Sequence, residues 1–252
     1  MAKVELKTAA DAAAKTAEKL DFFEKDKDTM AGFEQINAGT MAVPFVRILQ
    51  KLSPQLDKKK PEYIPGAEEG HWYNTASKKV YGNKISVLVL KFEQTCLEWR
   101  PNRGGFAGNH TMENAAILAT PETRGIFGGW KTKDGNSLQE TYVYMCLDVN
   151  APAEGPFVIS LSSSMIKGAR EWNRLMVTHV MDNGERAKPY YLIWDLTTDY
   201  RENDKGSWYT PSARFAGYVT QPLYLAAREE RVLLPSRRVE YALLEAPKEP
   251  EF

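Results

Sequence analysis

The chain has 252 residues, with 43% hydrophobic, 26% charged and 11% aromatic side chains, the composition of a folded domain and neither a collagen-like nor a disordered one. Lys plus Arg and Asp plus Glu number 33 each, so no overall field draws the chain to nucleic acid or to an anionic membrane. The longest clear apolar run, Ile85–Leu90, is far short of the roughly 20 residues that cross a bilayer. The N-terminus has no apolar signal core. A cytoplasmic protein with no membrane association is expected.

Residues 1–40 read as a helical or flexible arm. They hold an Ala-rich stretch, Ala9 to Leu20, and a charged run from Asp21 to Asp28, and their thin apolar face suits a helix that forms only when docked. The run VPFVRILQKL (Val43–Leu52) predicts a strand or short helix leading into the basic loop Lys58-Lys59-Lys60. From Arg47 to Arg103 eleven basic residues face six acidic ones, a local excess inside a neutral chain. After Pro65-Gly66 the pattern turns to β. Ile85–Trp99 predicts one long strand bent near Glu93-Gln94, or two short ones. Further strands are expected at Thr141–Val149, Phe157–Leu161, Tyr190–Thr198 and Trp208–Val219. Two helices interrupt them. One runs from Met165 to Met181 with Met165, Ala169, Trp172, Leu175 and Met176 near one face, and the other runs from Pro222 to Pro235, with Pro in its first turn. Many strands, few helices and Gly- and Pro-bearing loops argue against a doubly wound parallel sheet and for a mainly β, α+β barrel or sandwich over residues 41–240. The last twelve residues, 241–252, form an acidic tail ending in Phe252.

The catalytic inventory is short. Cys96 and Cys146 lie in strand-like segments with no metal-ligand spacing and read as reduced core residues, and His71, His110 and His179 fit no local metal pattern. No P-loop or dinucleotide fingerprint occurs, so no cofactor is expected. Ser164-Met165-Ile166-Lys167 matches S-x-x-K, which places a serine and its lysine base one helical turn apart in some acyl-transfer enzymes. The companion elements of that motif are missing. Ser164 reads more simply as a helix N-cap, and a Ser-Lys hydrolase is the minor alternative to a non-enzymatic protein.

Two loops mix cations with aromatic rings and glycines: Trp99-Arg100-Pro101-Asn102-Arg103-Gly104-Gly105-Phe106, running on to His110, and Phe127-Gly128-Gly129-Trp130-Lys131-Thr132-Lys133. Glycines let a loop approach a polymer backbone, cations neutralise phosphates, and rings stack on unpaired bases with little regard to sequence. On the 165–181 helix, Lys167, Arg170 and Arg174 lie along one face. This arrangement suits a phosphate track or a solvated face paired with Glu171. Trp99, Phe106 and Trp130 are the expected stacking rings, with Trp72 and Tyr73 as further candidates. Arg100, Arg103, Lys131, Lys133, Lys167, Arg170 and Arg174 are the expected phosphate contacts.

The ordered segments RILQKLSPQ, EYIPGAEEGHWYNTASKKVYG, ISVLVLKF, LEWRPNRGGFAGNH and ISLSSSMIKGAREWN resemble a group of bacteriophage proteins regarded as single-stranded DNA-binding proteins. The likeness covers about residues 43–200. It implies an elaborated OB-fold-like barrel that coats single-stranded DNA during phage replication or recombination in the host cytoplasm. The tail EAPKEPEF, with Glu249, Glu251 and Phe252, is similar in kind to the acidic tails through which such proteins meet replication partners such as a polymerase or helicase-primase. Self-association is left open by the sequence. The rival expectation is a phage structural or host-takeover protein that uses its aromatic loops as a protein interface, since Trp, Tyr and Arg are also the common interface anchors.

Overall fold

The computed structural model describes residues 44–102, 104–123, 129–204 and 206–233. The chain divides into two units, Met1–Asn37 and Ala38–Phe252, and every described residue belongs to the second. The expected N-terminal arm and acidic tail therefore lie outside the described residues.

Among the described residues ten strands and three α-helices follow in chain order: β1 Val46–Ile48, β2 Trp72–Asn74, β3 Val80–Gly82, β4 Lys84–Trp99, β5 Phe106–His110, α1 Met112–Leu118, β6 Trp130–Lys131, β7 Ser137–Asp148, β8 Phe157–Ser162, α2 Ile166–Thr178, β9 Leu192–Asn203, β10 Gly206–Tyr218 and α3 Gln221–Leu233. β4 is the spine of an antiparallel, curled sheet. One of its edges pairs with β7 from Val87 to Trp99, and the other pairs with β9 over Lys84–Leu88 and with β5 over Cys96–Trp99. β8 and β6 share the far edge of β7, and β10 extends β9. β4 is one continuous strand whose register against β7 shifts between Val89 and Lys91, the kind of irregularity that bends a strand, a little before the Glu93-Gln94 expected from sequence.

Strands β4, β7 and β8 form a meander, and β9 returns through α2 to lie beside β4. The spatial order β9-β4-β7-β8 is a Greek key. With β10 it makes the five long strands of a barrel-like α+β fold of OB type. The two open edges, β8 and β10, are bridged by the small sheet β1-β2-β3. Phe45 pairs in parallel with Val158 of β8, whose N–H donates to the Pro44 carbonyl at 2.8 Å. On the other side, the Gln50 side-chain amide donates to the Tyr209 carbonyl and accepts from the Tyr209 N–H, both at 2.9 Å. Thr198 Oγ1 adds a bond to the Gly70 carbonyl at 2.8 Å. Gly70, at φ +82 in the left-handed region, is required here, because a Cβ would stand 2.6 Å from the Tyr209 ring.

The runs VLVL (Val87–Leu90) and YVYMCL are continuously apolar because the sheet is covered on both faces. Inside the curl, Val87, Val89, Tyr144, Cys146, Ile159, Leu161 and Trp194 pack on Ile166, Ala169, Trp172 and Met176 of α2. The Tyr144 and Trp172 rings stack at 4.3 Å, and the Tyr144 hydroxyl bonds the Ala169 carbonyl and Asn173. On the opposite face, Leu88, Leu90, Val143, Met145 and Leu147 lie under Leu223 and Ala227 of α3. Both cysteines are buried free thiols. Burial, aided by Glu140 and Glu98, pushes the Cys96 thiol up to about 12, and burial raises that of Cys146.

Candidate nucleic-acid interface

The segment between β4 and β7 carries half of the expected contacts, and folding gathers the described ones, Arg100, Phe106, Trp130, Lys131 and Lys133, at one end of the sheet. Trp99 pairs with Ser137 on one side and Phe106 on the other, and Ser137 pairs with Lys131. Phe106, Trp99, Ser137 and Lys131 thus form one cross-strand row about 14 Å wide at the usual strand spacing.

Within that row the rings differ. Trp99 is 6% exposed and belongs to the core with Leu97, its neighbour two positions back on the same strand face. Trp72 and Tyr73 are 0% and 1% exposed. The expectation that these three rings stack on bases is therefore corrected: each is a core ring with no open face. Phe106 is half-buried, its ring edge-on to Trp99 at 5.7 Å. Trp130 is half-buried on the edge strand β6, resting on the small cluster of Cys96, Ala115, Ala119 and Leu138.

The cations differ as well. Arg100 is exposed, and its guanidinium donates to the Phe106 carbonyl at 2.9 Å, closing the β4–β5 turn over Gly104 and Gly105. The stretch from Phe106 to His110, expected as a glycine loop, is the paired strand β5, and Trp130-Lys131 is likewise a strand. Lys131 and Lys133 are exposed and make no ion pair among the described residues. Lys133 stands at the tip of the β6–β7 turn, which Thr132 and Asn136 close. Arg103 and Phe127 lie outside the described residues.

Beneath this end Glu98 acts as a tie. It accepts from Asn136 Nδ2 at 2.6 Å and meets His110 Nε2 at 2.7 Å, joining β4, β5 and the β6–β7 turn. Burial alone would raise its carboxyl, but the bonds from Asn136 and His110, with the His110 and Arg100 charges, hold it below the ordinary value.

The start of α2 lies along the same β7 edge. Ser162 of β8 pairs with Thr141, four β7 positions from the Ser137–Lys131 pair, or about 13 Å along the strand. Between them Gln139 Nε2 donates to Ser163 Oγ at 2.7 Å. Ser163, at φ +51, turns the chain into a short 3-10 segment before α2. Ser164 does not cap the helix: Met165 holds the N-cap position and no side chain bonds the first-turn amides. Ser164 and Lys167 are both exposed, with no hydrogen bond between them. Of the α2 cations, Arg170 bonds Glu140 at 3.2 Å and the Tyr142 hydroxyl at 3.3 Å, and Arg174 pairs with Glu171 at 2.5 Å. Lys167 makes no ion pair among the described residues.

The sequence reading missed α1, although Thr111 carries the cap signal and accepts from the Asn114 N–H at 3.2 Å. Among the described residues, no helix is long and apolar enough to cross a membrane and no group of three or more His, Cys, Asp or Glu is placed to hold a metal ion.

No curated protein and no solved structure matches the chain. The family model described as Pam3 phage gp34-like protein matches residues 12–239, a span that takes in all of the sheet and helices described above. The chain belongs to the Pam3 phage gp34-like protein family.

Proposed function

We propose that this phage-family chain is a non-enzymatic, sequence-nonspecific single-stranded DNA-binding protein acting in replication or recombination. One observation carries the reading. In OB-type barrels the insertion between the first and second long strands is a regular oligonucleotide-binding element, and here that insertion, between β4 and β7, bears Arg100, Phe106, Trp130, Lys131 and Lys133. Trp130 and Phe106 supply ring surface, and Lys131, Lys133 and Lys167 supply charge along the adjoining β7 edge. Arg170 and Arg174 would join only by exchanging their carboxylate partners for phosphates. In this reading the acidic tail with Glu249, Glu251 and Phe252 recruits replication proteins.

A tryptophan-fluorescence titration with oligo-dT at two salt concentrations tests it. Saturable quenching is expected, with affinity falling by about 0.7 log units per log unit of salt for each phosphate neutralised. Trp130→Phe should remove most of the quenching, because Trp72, Trp99, Trp172 and Trp194 are buried and the half-buried Trp208 sits on β10, at the other end of the sheet order from β6. Absence of quenching, or a flat salt response, would overturn the reading in favour of a protein-interface role.

A further inference from the structure

A second cluster of cations and rings forms away from the β6 edge, from two segments more than thirty residues apart. Lys188, Tyr190 and Tyr191 come from the short 3-10 turn before β9. Tyr224, Arg228 and Arg231 come from α3, where their i, i+4, i+7 spacing places them on one stripe. The neighbouring stripe, Leu223 and Ala227, faces the core.

The Arg231 guanidinium lies 3.9 Å from the Tyr190 ring centre, and the Lys188 ammonium lies 6.0 and 5.8 Å from the Tyr190 and Tyr191 ring centres. The three tyrosine rings are within 5.0 to 6.3 Å of one another. All three are half-buried, and Lys188, Arg228 and Arg231 are exposed. Among the described residues no carboxylate lies within ion-pair distance of Lys188 or Arg231. Two like charges are thus brought to one phenol with no counter-charge among the described residues, an arrangement that an anion between them would relieve. Burial alone would raise the Tyr190 phenol, yet Lys188 and Arg231 beside it hold it below the ordinary value.

We propose that this cluster is a second contact for single-stranded DNA, with Lys188 and Arg231 gripping a phosphodiester and the tyrosine rings offering an edge to the adjoining base. The proposal rests on the single-strand-binding reading above and adds a site to it. Rings beside paired cations favour a nucleic-acid phosphate over a protein carboxylate, because stacking and charge neutralisation are then both used.

The test uses the full chain. Long-wavelength irradiation of the wild-type protein with oligo-dT carrying 5-iododeoxyuridine should give adducts on peptides containing Tyr190, Tyr191 or Tyr224, a readout independent of whether any variant folds. The K188Q/R231Q double variant should lower the salt slope of oligo-dT binding by about 0.7, one phosphate's worth. Binding by the wild type with no such adduct and an unchanged slope in the double variant overturns this inference and leaves the β6-edge reading standing. Failure of the wild type to bind oligo-dT overturns both. Binding of a poly-glutamate peptide that the double variant abolishes, without tyrosine adducts, assigns the cluster to an acidic protein partner and overturns the phosphate assignment.

Discussion

Trp99 and Trp130 lie at the same end of the sheet, each next to a cation in sequence, and they have opposite surroundings. Trp99 is on β4, flanked by β5 and β7, and its ring is core. Trp130 is on β6, an edge strand two residues long, and its ring keeps part of its surface. A ring beside an arginine or lysine is therefore a stacking candidate only where its strand leaves a face uncovered. Neighbours in sequence do not decide it. The position of the strand in the sheet does.

The sharpest way to break this contrast is Trp99→Ala. Removal of a buried tryptophan should cost about 3–5 kcal/mol, read as a lower urea midpoint, while oligo-dT affinity measured well below that midpoint stays near wild type. A large loss of affinity in folded Trp99→Ala protein would place Trp99 in the binding surface after all. Trp130→Ala should do the reverse, changing the urea midpoint little and weakening oligo-dT binding by about 1–3 kcal/mol, the usual worth of one stacked base. Equal affinities for Trp130→Ala and wild type would remove β6 from the interface.

The smallest expected effect concerns the tie beneath both rings. Since the folded Glu98 carboxyl is held below its ordinary value, its contribution is complete above the unfolded value of about 4.3 and drains away as pH falls through the lower folded value. Glu98→Gln should accordingly flatten the loss of thermal stability between pH 5 and pH 3. Asp195 keeps part of that acid sensitivity, because its bonds from Ser86 and Lys84 and the Lys84 and Arg214 charges outweigh its burial and depress it too. An unaltered acid limb in Glu98→Gln would show that the Asn136 and His110 bonds do not stabilise the fold through charge.

The long strands and the two longer helices were legible because their signals are local. Ile85–Trp99 is β-branched and aromatic throughout, and α2 buries Ile166, Ala169, Trp172 and Met176 at helical spacing. That count of strands pointed to a barrel or a sandwich, and the resemblance to phage single-stranded DNA-binding proteins pointed to the barrel. The strand β5 was not legible: Phe-Ala-Gly-Asn-His has little intrinsic strand preference and is extended because β4 offers it an edge. The fate of Trp99 could have been read from Leu97, since residues two apart on a strand share a face. The Tyr190 cluster could not, because its cations and rings meet only after α3 has folded back beside the turn at Pro189.

The closure of the barrel has a consequence for how it breathes. Every other neighbouring pair of long strands is joined by a backbone ladder, twelve residue pairs in the case of β9 and β10. Across the β9–β10 side of the small sheet, the described residues are joined by two side-chain amide bonds of Gln50 and one hydroxyl bond from Thr198, with no ladder. Parting there breaks no ladder, so it gives up fewer hydrogen bonds than parting any of those strand pairs, and the Tyr209 amide, held by a side chain alone, should exchange its hydrogen ahead of its ladder-bound neighbours.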